Sequence, residues 1–234
     1  MKKFLFPLYW IMVITACSLP QAAVTPAPFS VTSEVPPSPI PALPTEIIQA
    51  PAQNTYTNDA FGLGFEFPAD WFGPDEYISD QTLRIEVGSD NVYPYGTSPE
   101  ERIYALKNSY YVVIQYSKND QNQYWNDIHQ SLLGLNDGES ISDARGLLIR
   151  VGRVSLGRFE GIEFISTLSE TAQTSPVYFR QVILYDGQSN LLTVMGTPNN
   201  VEVANGANWR DIYRMIDETN MNTFHEILAS ITIE

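Results

Sequence analysis

Cysteine is nearly missing from this chain of 234 residues: Cys17 is the only one, so no intramolecular disulfide can form, and no cysteine nucleophile or thiolate metal site exists downstream of it. Histidine is almost as scarce. His129 and His225 stand about a hundred positions apart, each beside apolar helical positions, and read as partly buried structural side chains, the alternatives being a shared zinc site or a catalytic base. Positive charge is also short, with 13 Lys and Arg against 27 Asp and Glu, and after Lys3 the next basic residue is Arg84. Such a chain repels polyphosphate backbones and anionic headgroups, which excludes nucleic-acid binding and electrostatic membrane docking. The motifs of common enzymes are absent too. "GESIS" and "GQSNL" both lack the final glycine of a G-x-S-x-G elbow, and there is no H-E-x-x-H, no phosphate loop and no dinucleotide fingerprint. No cofactor and no catalytic residue is expected, and the domain reads as a non-enzyme.

No apolar run is long enough to span a bilayer. Met1, Lys2 and Lys3 form a basic start and Phe4 to Ile14 an apolar stretch, the layout of an export leader. About 13 apolar residues make a helix of about 20 Å, short of a hydrocarbon core of about 30 Å. Ile14-Thr15-Ala16-Cys17 resembles the lipobox of bacterial lipoproteins, with Ile in place of the commoner Leu. That resemblance implies a diacylated Cys17 as the lipid attachment point, loss of residues 1–16, and a protein anchored to the cell membrane and facing outside the cytoplasm. The other reading is an ordinary secretory leader cut among Ser18 to Ala23. Without Lys2 and Lys3, 11 basic residues face 27 acidic ones, a net charge near −16, so lipid rather than charge must do the anchoring.

Between Ser18 and Asn54 lie nine of the sixteen prolines, two charges (Glu34 and Glu46) and one aromatic, Phe29. No packed core can be built from that composition. Residues 17–54 therefore read as the lipidated cysteine and a semi-rigid tether of polyproline character, reaching at most about 115 Å at about 3.1 Å per residue. A ligand for a proline-binding groove is the alternative.

Residues 55–234 carry the periodicities of one folded domain. Leu63, Phe65 and Phe67 alternate with Gly64 and Glu66, Thr82 to Val87 alternates weakly, and Ser109 to Tyr116 is a nearly continuous β-branched and aromatic run. Further strands are expected at Leu147–Leu156 and Gly161–Leu168, and a hairpin at Tyr178–Tyr185 and Leu191–Met195 around "DGQSN". Trp125, Ile128, Leu132 and Leu135 recur at helical spacing, as do Trp209, Ile212, Ile216, Phe224 and Ile227, with the polar Asp217 to Asn220 as a possible break. The expected fold is α+β: one antiparallel sheet of about six strands with helices packed on it.

"GLGFEFPADW", "LGRFEGIEF" and "FHEILASITI" resemble the opening, middle and close of PsbP-like domains. The likeness implies an αβα sandwich used as a binding or assembly accessory, with Phe65, Phe67, Trp71, Phe224 and Leu228 in its core and no shared catalytic residues. Carboxylates are the abundant reactive group. Asp70, Asp75, Glu76 and Asp80 form one acidic stretch, and Asp137, Glu139 and Asp143 another. Either could ligate calcium, but neither has the spacing of a calcium loop, and no metal is expected. Trp71, Trp125 and Trp209 read as core rather than as a sugar platform. Two functions follow as expectations: a membrane-anchored module for a protein partner, or an exported carboxylate-dependent hydrolase or carbohydrate-binding protein.

Overall fold

The computed structural model describes residues 52–142, 146–169 and 176–234. Cys17, the expected leader 1–16, nearly all of the expected tether 17–54 and Asp143 lie outside the described residues.

Strands form where apolar side chains alternate or run on. In chain order they are β1 (Gln53–Asn58), β2 (Leu63–Pro68), β3 (Phe72–Ile78), β4 (Thr82–Gly88), β5 (Ser109–Ser117), then helix α1 (Gln123–Leu133), β6 (Ser140–Ser142), β7 (Gly146–Leu156), β8 (Phe159–Leu168), β9 (Val177–Tyr185), β10 (Leu191–Asn199), helix α2 (Trp209–Ser230) and β11 (Thr232–Ile233). Eight strands make one sheet in the order β3-β4-β5-β10-β9-β8-β7-β6, and three make another, β1-β2-β11. Every pairing is antiparallel.

Alternation along the strands divides the apolar side chains between two faces of the large sheet. On one face Leu83, Ile85, Val112, Ile114, Val182, Leu184, Leu192 and Val194 meet Phe224 and Ile227 of α2 and Leu63, Phe65 and Phe67 of β2. On the other, Ile162, Phe164, Ile183 and Leu191 meet Leu132 of α1. Ile183 thus points away from its neighbours Val182 and Leu184, as the period of two requires. Both helices begin at an asparagine cap: Asn122 accepts from the Tyr124 amide at 3.1 Å, and Asn208 from the Arg210 amide at 3.2 Å. The α1 C-terminus is held by Arg150 of β7, whose Nη1 donates to the carbonyls of Leu132, Leu133 and Leu135 while its Nε lies 3.0 Å from Asp137.

The expected fold class is corrected here. Of the described residues 45% are in strands and 21% helical, so the domain is mostly β, and two antiparallel sheets replace a single sheet of about six strands layered with helices. The four strands without an apolar pattern, β1, β3, β6 and β11, are the outer strands of the two sheets. A strand paired on one side only is covered least, so it has no need to be apolar. β1 also opens at Gln53, inside the stretch read as tether. Helix α2 is unbroken across Asp217–Asn220, because Asp217 is not a solvated residue but is fully buried against the sheet. Among the described residues no helix is long and apolar enough to cross a membrane.

Candidate functional site

Charge is buried at one place beneath α2. Arg180 of β9 donates to Asp217 of α2 through Nε (3.2 Å) and Nη2 (2.8 Å), and its Nη1 donates to Glu163 of β8. The Tyr110 hydroxyl donates to Asp217 at 2.9 Å, and Nε2 of His225 lies 3.1 Å from both Glu163 oxygens. Burial pushes the Glu163 carboxyl up, but the bonds from His225 and Arg180 outweigh it and hold the group below its ordinary 4.5. Burial likewise opposes the Arg180 charge, and Asp217 and Glu163 overcome it. Arg180 and Asp217 are 4% and 0% exposed, so the cluster ties α2 to the sheet and offers no open ligand position at its centre. Only His225 reaches the surface.

A pH dependence follows. The folded protein binds fewer protons at Glu163 than the unfolded chain does, so this contribution to stability is complete above about pH 4.5 and is lost as the pH falls through the lower folded value. The urea midpoint of the native protein should drop between about pH 6 and pH 3.5, and the Glu163→Gln variant should lose less over the same interval. Equal losses in both would remove Glu163 as the source.

The residues singled out from sequence do not converge. His129 belongs to α1 and His225 to α2, helices that pack on opposite faces of the large sheet. The His129 ring packs 5.2 Å from that of Tyr185, and burial pulls its pKa below 6.5, so it is a neutral imidazole at pH 7. Asp70 precedes β3 and Asp80 follows it, whereas Asp75 and Glu76 are adjacent strand residues that point to opposite faces. Glu76 accepts from the Tyr56 hydroxyl and from Asn58. Asp137 serves Arg150, and Glu139 accepts from the backbone amide of Asn136 at 2.7 Å. Among the described residues no group of three or more His, Cys, Asp or Glu side chains could hold a metal ion. Phe65, Phe67, Phe224 and Leu228 are buried. Trp71 and Trp125 pack partly buried against the two clusters, while Trp209 stacks edgewise on Tyr213 with the Arg210 guanidinium 4.5 Å from its ring centre.

What the sequence reading missed is a face built by β3 and the loop that follows β4. Residues 89–108 join β4 to β5 with only a short 3-10 turn, Pro99–Glu101, and a connection of that length in a compact domain is usually functional. The loop is pinned at its neck. The buried Asp90 carboxylate accepts from the Asn91 and Leu106 amides, both at 2.8 Å, and Arg102 donates to the Thr97 carbonyl. The Tyr93 hydroxyl bridges the carbonyl and the amide of Ile103. So held, Ile103 is 77% exposed and Tyr95 59%.

Tyr95 packs against Tyr77 of β3, ring centres 4.8 Å apart, with the Arg84 guanidinium over it at 5.0 Å. Beneath them Asp75 stands opposite Glu86 across the β3–β4 ladder. Burial raises the Glu86 pKa, Arg84 opposes it, and Asp75 adds to it. Of the ten large apolar side chains exposed among the described residues, six (Phe72, Tyr77, Ile78, Tyr95, Ile103 and Leu106) fall between positions 72 and 106. Ile78, next to Tyr77 in β3, points to the other face of the sheet, so the exposed surface shared by β3 and the loop centres on the Tyr77–Tyr95 ring pair, a candidate interaction surface. The three tyrosines of "NVYPYGTSPEERIY" in a stretch without periodicity were the available signal. Comparison with known proteins adds no identity to this geometry: no family model matches the chain, and no curated protein matches it.

Proposed function

We propose that this chain is a lipid-anchored extracytoplasmic binding protein, which carries its folded domain on a proline-rich tether and docks a protein partner on the face formed by β3 and residues 89–108. The observation that carries this reading is the pair of exposed rings, Tyr77 on β3 against Tyr95, with the exposed Ile103 and Leu106 on the same loop as Tyr95, whose neck is fixed by Asp90. The lipobox-like Ile14-Thr15-Ala16-Cys17 and the tether support the anchored part. Pro74 and the register shift between Phe72 and Asp75 make β3 a poor template for strand addition, so docking is by side chains. Asp75 shares the face of Tyr77, and Glu100 and Glu101 are exposed on the loop, which suits a partner with a basic rim.

Crosslinked purification from native membranes tests it. The natural protein should retain a partner, the Cys17→Ser form should leave the membrane, and Tyr77→Ser with Tyr95→Ser should weaken capture at least about tenfold. Both tyrosines are exposed, so the melting temperature should stay nearly unchanged. Capture unaffected by the double substitution would displace the proposed face. The second reading, an exported carboxylate-dependent hydrolase or carbohydrate-binding protein, draws on Asp75 opposite Glu86 beside Tyr77 and Tyr95. Glycan binding or cleavage lost in Glu86→Gln, with no protein captured, would favour it.

A further inference from the structure

Four chain connections meet at one end of the two sheets: the β1–β2 turn, the residues after β5, the β7–β8 turn and the β9–β10 turn. They enclose a cleft of about 520 Å³ lined by Asp59, Phe61, Lys118, Asn119, Arg158, Gln188 and neighbours. The volume lies within the range of small-molecule sites. In a chain with 13 basic residues against 27 acidic ones, two cations, Lys118 and Arg158, share this cleft with two acidic residues, Asp59 and Glu234.

Each cation is fixed by protein groups, Lys118 half-buried and Arg158 exposed at the rim. The Lys118 ammonium sits 4.6 Å from the centre of the Phe61 ring and donates to the Ala60 carbonyl at 3.3 Å, which leaves two of its three protons without a protein acceptor among the described residues. The Arg158 side chain is set by Asp186, 3.3 Å from its Nε, and by the Glu234 carbonyl, 3.4 Å from its Nη2. Asp186 is itself locked, accepting from the Gln188 and Asn190 amides at 2.8 and 3.1 Å and from Asn190 Nδ2 at 2.6 Å. Asn190 in turn accepts from the Asn119 amide, which joins the β9–β10 turn to the segment carrying Lys118. The walls are therefore organised before any ligand arrives. The floor, from Phe61 and Tyr116, is aromatic and almost wholly buried.

We infer that this cleft is a binding site for a small organic anion, whose phosphate or carboxylate lies between Lys118 and Arg158 and whose apolar part lies toward Phe61. The Gln188 and Asn119 side-chain amides supply neutral hydrogen-bonding groups at the rim. Asp59 and Glu234, which also line the cleft, limit the charge that the site accepts, which favours one anionic group over a polyanion. This site is separate from the aromatic face: none of the residues lining the cleft belongs to β3 or to residues 89–108.

Amide chemical shifts of the intact folded protein, followed during titration with inorganic phosphate and separately with butanoate at constant ionic strength, test the inference. Saturable shifts should appear at residues 59–62, 118–119, 158 and 188–190 with either probe. Lys118→Gln should weaken binding about tenfold or more, the loss expected of one charge-assisted hydrogen bond. Arg153→Gln removes an exposed arginine that does not line this cleft and should leave the titration unchanged. A response to phosphate alone or to butanoate alone names the anionic group and supports the site. No saturable shift with either probe up to about 20 mM, the weak end of specific affinity, would overturn it. Equal weakening by Arg153→Gln and Lys118→Gln would also overturn it, since the response would then be to overall charge.

Discussion

Asp217→Ala is expected to destabilise the domain by about 3–5 kcal/mol, the cost of leaving a buried ion without its partner. Asp217 has no exposed surface, and its carboxylate accepts two bonds from Arg180 and one from Tyr110. Removal strands a guanidinium that is 4% exposed, and Glu163 can satisfy only part of it. Against a domain stability of roughly 5–15 kcal/mol, that loss is a large share of the total. Asp217→Asn keeps the shape and one acceptor and should fall between the alanine variant and the native protein. Replacing the whole cluster together, Arg180→Met, Asp217→Leu, Glu163→Gln and Tyr110→Phe, should recover much of the deficit, because no buried ion or hydroxyl then remains without its partner. Urea unfolding followed by circular dichroism measures all three, and an alanine variant within about 1 kcal/mol of the native protein would show that the cluster does not anchor α2.

Phe224→Ala should cost about 3–5 kcal/mol, from lost burial and from the cavity left under α2. The ring is fully buried and lies above Gly196 of β10, where an added Cβ would sit 2.7 Å from its Cδ2 and collide with the Tyr110 ring. Glycine is required here by close approach, not by an unusual backbone angle. Gly196→Ala alone should therefore cost about 1–3 kcal/mol by overpacking. In the Phe224→Ala background the same change should cost less, since one of the two obstructing rings is gone, giving a coupling of about 0.5–3 kcal/mol between the sites. Strictly additive unfolding free energies would mean that the two residues do not share the contact.

The two changes probe the same region by different physics. One removes a charge from a cluster drawn from β5, β8, β9 and α2, and the other removes volume from the apolar layer around it. None of that cluster was visible along the chain. Glu163 and Arg180 look like interruptions in apolar strands, and Asp217 like a solvated break in a helix, because a single charge in a local pattern carries no sign of the opposite charge that will face it. Tyr110 and Asp217 are 107 positions apart in the chain, so only the folded sheet brings the hydroxyl to its acceptor.

The aromatic face was equally hidden, and for a related reason. Local periodicity reports burial, and residues 72–106 include an outer strand and a long loop whose side chains are mostly exposed. Tyr77 and Tyr95 become neighbours only because the loop after β4 folds back beside β3. The anion cleft is assembled the same way, from four turns that are each ordinary by themselves.

The sequence alone determined the elements whose formation depends on nearby residues. The strands with partners on both sides, β2, β4, β5, β7, β8, β9 and β10, were all legible, as were both helices, since burial on a fixed face imposes a period of two or 3.6 residues. The lipobox-like order around Cys17 and the proline-rich composition of residues 18–54 are likewise local properties. Tertiary structure alone decided the rest: the outer strands, which are held by hydrogen bonds to a neighbour rather than by apolar side chains; the division into sheets of eight and three strands; the pairing of buried charges; and the places where exposed rings and cations gather. Each of these depends on contacts between residues distant in sequence, which no periodicity encodes.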